Sequence, residues 1–129
     1  MNIEHLDHLV LTVNDVGVAC SFYERVLGMK TVSSCCGRRA LVFGSQKINL
    51  HQQGEDAALS PRTPTPGSGD LCFITSTPLV DVVAHLNSCG VPIIEGPIER
   101  AGAMGLIMSV YFRDPDGNLV EVSNYKSPT

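Results

Sequence analysis

At 129 residues and 43% hydrophobic content, the chain suffices for one domain with a sizeable core, or for two small modules that share one. A net charge of −4, with nine Lys and Arg scattered along the chain, lacks the basic stripe that a nucleic-acid partner requires. Five Cys, an odd number with no CxxC spacing and with Cys35 and Cys36 adjacent, point to a reducing compartment; no apolar run reaches the length of a membrane span, and the acidic start MNIEHLDHLV is unlike a signal or transit peptide. A cytoplasmic protein with no membrane partner is the expectation.

The chain opens with a strand over 6–13, in which Leu6, His8, Val10 and Thr12 share one face and Asp7, Leu9, Leu11 and Val13 the other. Asn14 or Asp15 then caps a helix whose apolar residues Val16, Ala19, Phe22, Tyr23, Val26 and Leu27 fall at helical spacing, and Gly28 follows as its left-handed cap. Three short strands are predicted over 29–34, 39–43 and 47–52, parted by Gly37 with Arg38 and by Gly44 with Ser45. The stretch 53–69 carries Pro61, Pro64, Pro66, Gly67 and Gly69 and reads as a linker.

After the linker the pattern restarts with a strand over 70–76. Thr77 and Pro78 supply an N-cap and a first-turn proline to a helix buried along Leu79, Val82, Val83 and Leu86 and closed by Gly90. Strands over 92–95, 106–113 and 118–123 complete it, with 99–105 read as a Gly-rich loop. Each half is therefore strand, helix, three strands, with module one at about 5–52 and module two at about 70–125 of a single domain. The expected class is α+β, two βαβββ modules. The last hairpin, YFRDPDGNLVEVS, packs a dense turn cluster, Asp114 to Asn118, between two β-prone runs, and Glu121 sits inside its second strand. A carboxylate flanked by Val120 and Val122 is costly on a buried face unless a cation or a metal neutralises it.

The duplication makes that carboxylate interpretable. Asp70 begins the first strand of the second half as His8 lies in the first strand of the first; Glu121 lies in the fourth strand of the second half as His51 lies in the fourth strand of the first. If the modules form facing sheets, two imidazoles and two carboxylates converge, a set suited to Zn, Ni, Co, Mn or Fe(II) with open water positions.

The stretches HLDHLVLTVNDVGVACSFYERVLGM, INLHQ and YFRDPDGNLVEVS resemble the vicinal oxygen chelate superfamily, whose members include glyoxalase I, extradiol dioxygenases and metal-free bleomycin-resistance proteins. The chain is most similar to short glyoxalase-domain proteins of the lactoylglutathione lyase type. The resemblance implies a cup-shaped mixed sheet, a homodimer, and a divalent metal ion on His8, His51, Asp70 and Glu121, with glutathione or another thiol as a possible co-substrate. Bacterial glyoxalase I usually places a Glu where this chain has His51 and a His where it has Asp70, so donor types are kept while positions are exchanged. By the same resemblance Glu121 is the base that takes a carbon-bound proton to give an enediolate, Asp70 is a second candidate for it, and the histidines hold the ion. Cys72 shares a strand face with Asp70 and lines the pocket or packs as a small buried thiol. Arg100 and Arg113 are candidates for a substrate carboxylate or phosphate. His5 and His85 read as surface and peripheral. Two other readings stand beside the lyase or isomerase: an Fe(II) extradiol-type dioxygenase on two His and one carboxylate, and a ligand-sequestering protein without metal. Only 5% aromatic content and no Trp argue against a stacking drug cup.

Overall fold

A computed structural model of the chain describes residues 1–34, 37–55 and 58–126, so the adjacent Cys35 and Cys36 lie outside the described residues. The order is β1 (His8–Val13), α1 (Val16–Leu27), β2 (Lys30–Ser33), β3 (Arg39–Phe43), β4 (Gln46–Gln52), β5 (Asp70–Ile74), α2 (Leu79–Ser88), β6 (Glu95–Gly102), β7 (Gly105–Arg113) and β8 (Leu119–Tyr125). These elements form two compact units, Met1–Ser68 and Gly69–Thr129, each with one helix and one four-stranded mixed sheet. The class is α+β, and no described helix is long and apolar enough to cross a membrane.

In the first unit the sheet order is β1-β4-β3-β2, with β1 parallel to β4 and the other pairs antiparallel. Strand alternation sends Leu11, Val13, Ile48, Leu50 and Leu41 to the face covered by α1, where they meet Ala19, Cys20, Tyr23 and Val26 in a dry core. The Asp15 side chain accepts the Val18 amide hydrogen at 2.9 Å, and Gly28 ends the helix at φ +67°, a backbone conformation that a residue without a Cβ readily adopts.

The second unit repeats this as β5-β8-β7-β6, with β5 parallel to β8. Val110, Phe112, Val120 and Val122 are buried on the face toward α2, together with Leu86 of the helix. Two expectations are corrected here. Thr77 does not cap α2: Pro78 holds the cap position without a side-chain bond, and the Oδ1 of Asn124 on β8 accepts the Leu79 amide hydrogen at 2.8 Å instead. A partner distant in sequence has taken over a local task. Nor is 99–105 a loop or 92–95 a strand. β6 runs Glu95–Gly102 along β7, interrupted by a register shift between Glu95 and Ile98, so ladder pairing overrides the weak strand propensity of EGPIERAG.

Candidate functional site

Register places the site residues. In the first unit His8 lies beside Lys47, Val10 beside Asn49 and Thr12 beside His51, all on the face away from α1. In the second, Asp70 lies beside Leu119, Cys72 beside Glu121 and Ile74 beside Ser123, on the face away from α2. The counterpart of Glu121 is thus Asn49, and the counterpart of His51 is Ser123. A second feature fixes this alignment. Gln52, three residues after Asn49, bonds the start of α1 by accepting the Val16 amide hydrogen at 3.0 Å and donating to the Asn14 carbonyl. Asn124, three residues after Glu121, bonds the start of α2 in the same way and donates to the carbonyls of Thr75 and Thr77 at 2.8 Å each.

The expected symmetry of His51 with Glu121 is therefore replaced by that of Asn49 with Glu121. His51 lies four residues further along the strands than His8, roughly 13 Å at the ordinary rise per residue. Side chains standing on one sheet face at that spacing do not meet at one ion. His8 with Asn49, and Asp70 with Glu121, are instead diagonal neighbours, roughly 8 Å apart between Cα atoms. Among the described residues no group of three or more His, Cys, Asp or Glu stands close enough to hold a metal ion. Each unit by itself offers two donors.

His8 has an acidic neighbour. The carboxylate of Asp7, immediately before it, lies 2.7 Å from its Nδ1. That bond, helped by the nearby charges of His8, His5 and Lys47, holds the Asp7 carboxyl below the usual carboxylate range. An imidazole whose Nδ1–H is donated to a carboxylate presents Nε2 with its lone pair free, in the orientation metal-bound histidines adopt. Sequence reasoning put Asp7 on the opposite strand face and missed this partner, although an acid beside a histidine was the available signal.

Glu121 sits in a network that only the register reveals. Ser109 and Tyr111 of β7 oppose Ser123 and Glu121 of β8. The Ser109 hydroxyl donates to Glu121 Oε2 at 2.5 Å and lies 2.6 Å from the Ser123 hydroxyl, which in turn lies 3.5 Å from the Cys72 sulfur. Both serines are fully buried. Tyr111 stands directly opposite Glu121 in the ladder; burial raises its hydroxyl above the ordinary tyrosine value, with the Arg100 contact opposing and the Glu121 charge reinforcing that rise. Cys72 is likewise raised, chiefly by burial, with the negative charges of Glu121 and Asp70 adding to it and the Ser123 contact lowering it. Glu121 is thus held half-buried by hydroxyl donors and has no Lys or Arg ion pair among the described residues.

The other candidates divide. Arg113 braces the hairpin, its Nη1 donating to the Gly117 carbonyl at 3.3 Å. Arg100 instead reaches over the Tyr111 ring and donates to its hydroxyl. His5 is exposed before β1, and His85 of α2 contacts Cys89, the C-cap of that helix, at 3.6 Å, away from the face that carries Glu121.

The first unit offers an imidazole nitrogen from His8 and an amide oxygen from Asn49, and the second unit offers the carboxylates of Asp70 and Glu121. Oxygen-rich sets with a single nitrogen suit Mn, Fe(II) or Co better than a closed structural zinc site. By donor chemistry the residues fit a divalent ion.

A family model described as Glyoxalase/Bleomycin resistance protein/Dioxygenase superfamily matches residues 5–122. The Virulence protein STM3117 of Salmonella typhimurium is 57% identical over 125 residues, which cover 97% of this chain and 87% of that protein. Its crystal structure aligns with a TM-score of 0.96 at 56% identity, over 98% of this chain and 100% of that one. The glyoxalase domain-containing protein RDO1 of Mycosarcoma maydis is 48% identical over 126 residues, 98% of this chain and 71% of that protein. A lactoylglutathione lyase from Agrobacterium tumefaciens aligns with a TM-score of 0.73 at 25% identity over 95% of each chain.

Proposed function

Because this chain belongs to the Glyoxalase/Bleomycin resistance protein/Dioxygenase superfamily, we propose that it is a divalent-metal-dependent lyase or isomerase acting on a small substrate with oxygens on neighbouring carbons. The observation that carries this reading is the Glu121 carboxylate, half-buried on a sheet face, oriented by the Ser109 hydroxyl at 2.5 Å and left without a cationic partner among the described residues. A structural strand carboxylate is normally solvated or paired; one aimed by hydroxyls and kept free of Lys and Arg is arranged for proton transfer.

In this proposal Asp70 and Glu121 of the second unit would hold the ion, His8 and Asn49 are the donors that the first unit offers, and His51 is set aside by its place along β4. When bound, the ion polarises the substrate oxygens and so acidifies the adjoining C–H. Glu121 removes that proton and returns it to the neighbouring carbon, with Asp70 the second candidate. Ser109 and Ser123 keep Oε2 of Glu121 occupied, which fixes the direction in which the carboxylate faces. Asp7 sets the His8 tautomer. Glutathione or another thiol as co-substrate, and assembly as a homodimer in the cytoplasm, belong to the same proposal.

The test is metal content after equilibration with Zn, Ni, Co, Mn and Fe(II) and removal of excess, beside a His8→Ala, Glu121→Ala double variant. About one ion per site in the parent and none in the variant supports the reading. Absence of retained metal in both would reject it in favour of ligand sequestration. Retention of iron alone, with oxygen consumption on a catechol, would replace it by the dioxygenase reading. That alternative expects two histidines on one ion, and His8 and His51 stand too far apart along their strands to provide them.

A further inference from the structure

The guanidinium of Arg100 is held in place by three contacts, and none of them is a carboxylate. Its Nε donates to the Tyr111 hydroxyl at 3.2 Å, its Nη1 donates to the Glu99 carbonyl at 3.1 Å, and its Cζ lies 5.7 Å from the centre of the Tyr111 ring. The neighbouring acid, Glu99, is already engaged by Lys126 at 2.6 Å. Among the described residues no carboxylate comes within ion-pair distance of Arg100. An exposed arginine with no task is usually a mobile side chain, because holding its long stem still costs rotamer entropy. Here the stem is fixed while the charge is left unmatched.

The register says where that charge points. Arg100 pairs with Ile107, and Ile98 with Ser109, so Arg100 projects from the same sheet face as Ser109, Tyr111 and Glu121. Tyr111 joins the two ends. Its hydroxyl accepts from Arg100, and its backbone stands directly opposite Glu121, so guanidinium, phenol and carboxylate lie on one face across the second unit.

We propose that Arg100, positioned by Tyr111, binds a carboxylate or phosphate group of the substrate, so that the substrate is a small anion whose oxygenated carbons reach Glu121. With one N–H each of Nε and Nη1 engaged, the guanidinium keeps three N–H groups on Nη1 and Nη2 for an oxyanion, in an orientation that an ammonium would not hold. Arg113 does not share this role, since it is spent on the hairpin carbonyl of Gly117. The proposal rests on the enolisation reading for the function of Glu121, but anion binding at Arg100 requires no metal.

The experiment exploits that separation. Metal-stripped full-length protein is titrated with inorganic phosphate and, separately, with glycolate, while the arginine Nε–H resonances and backbone amides are followed by NMR. Saturable shifts centred on Arg100, Tyr111 and Ser109 are expected. Arg100→Gln is expected to weaken binding by about tenfold or more, and Tyr111→Phe by a smaller factor through loss of positioning. Glu121→Gln, which disables the proposed base, is expected to bind the anion at least as tightly as the parent. Both variants at 100 and 111 are checked for unchanged folded amide spectra. Non-saturating shifts in the parent, or an Arg100→Gln protein that binds equally well, would overturn the proposal whatever the metal content proves to be. The more tightly bound probe names the group, a phosphate ester or a carboxylic acid.

Discussion

Asp114→Ala removes the residue on which the last hairpin hangs. Asp114 is only 6% exposed, and its carboxylate accepts three hydrogen bonds: the amide hydrogens of Asp116 and Asn118 at 2.9 Å each on Oδ1, and the Asn118 side-chain amide at 2.7 Å on Oδ2. Asn118, 1% exposed, passes the constraint on by accepting the Gly69 amide hydrogen at 2.7 Å, and the Gly69 carbonyl in turn accepts from Leu119 at 3.0 Å. The truncation leaves two donors of Asn118 buried without an acceptor, while the amide of the half-buried Asp116 can turn to water. At about 1–3 kcal/mol for each unmet buried donor, and with less than full additivity inside one network, the expected loss is about 3–4 kcal/mol. Asp114→Asn keeps the Oδ1 acceptor and is expected to lose about half as much. Urea unfolding of the full chain followed by circular dichroism reads this as a fall in midpoint at unchanged slope. Hydrogen exchange at Gly69 should accelerate, because its amide is tethered to the Asn118 side chain. A loss below about 1 kcal/mol with normal Gly69 protection would refute the claim that this carboxylate organises the hairpin.

Three further outcomes follow from other parts of the fold. Asp7→Asn leaves the His8 imidazole with a weaker acceptor and is expected to lower metal affinity by about 10- to 100-fold, measured by competition with a coloured chelator. Cys72 is expected to alkylate slowly at pH 8: its raised pKa keeps the thiol protonated there, so site-resolved mass spectrometry should show labelling rising only above the ordinary thiol value of 9.0, and Glu121→Gln should bring that rise to lower pH. Gly96→Ala places a Cβ against the Ser109 carbonyl at φ +104°, whereas Gly28→Ala meets open space at φ +67°. Thermal unfolding should show about 1–2 kcal/mol lost at Gly28 and clearly more at Gly96.

How much of this was legible depended on whether the cause was local. The cap at Asp15, the left-handed Gly28 and the strand over Arg39–Phe43 follow from nearest neighbours, and the sequence places them correctly. Thr77 failed as a cap because Asn124, 47 residues away, supplies the acceptor, and β6 failed as a strand because its letters are poor while its partner β7 is strong. At the site, Glu121 stands out by its apolar flanks. Its counterpart in the first half was misassigned because matching donor types drew attention to His51, while the informative match was between two amides, Gln52 and Asn124, which do the same work at the starts of α1 and α2. Ser109, Tyr111 and Asp7 carry no motif, and only pairing across strands brings the first two to Glu121.

Parallel pairing of the first strand with the last in each unit also governs how the chain is made. As the polypeptide leaves the ribosome, β1 emerges with no partner, because its ladder is with β4, and His8 waits for Lys47. A β2-β3 hairpin can form in the interval, but the sheet closes only when β4 arrives. The residues between Gln52 and Asp70 then follow a first sheet that is already complete, so their emergence separates the two closures in time. The second half repeats the wait, with β5 unpaired until β8, the strand that carries Glu121, appears. The proposed base is therefore set in place only once the other described strands exist to receive it, and a nascent chain arrested before the β7-β8 hairpin holds neither that carboxylate nor the partner of its own fifth strand.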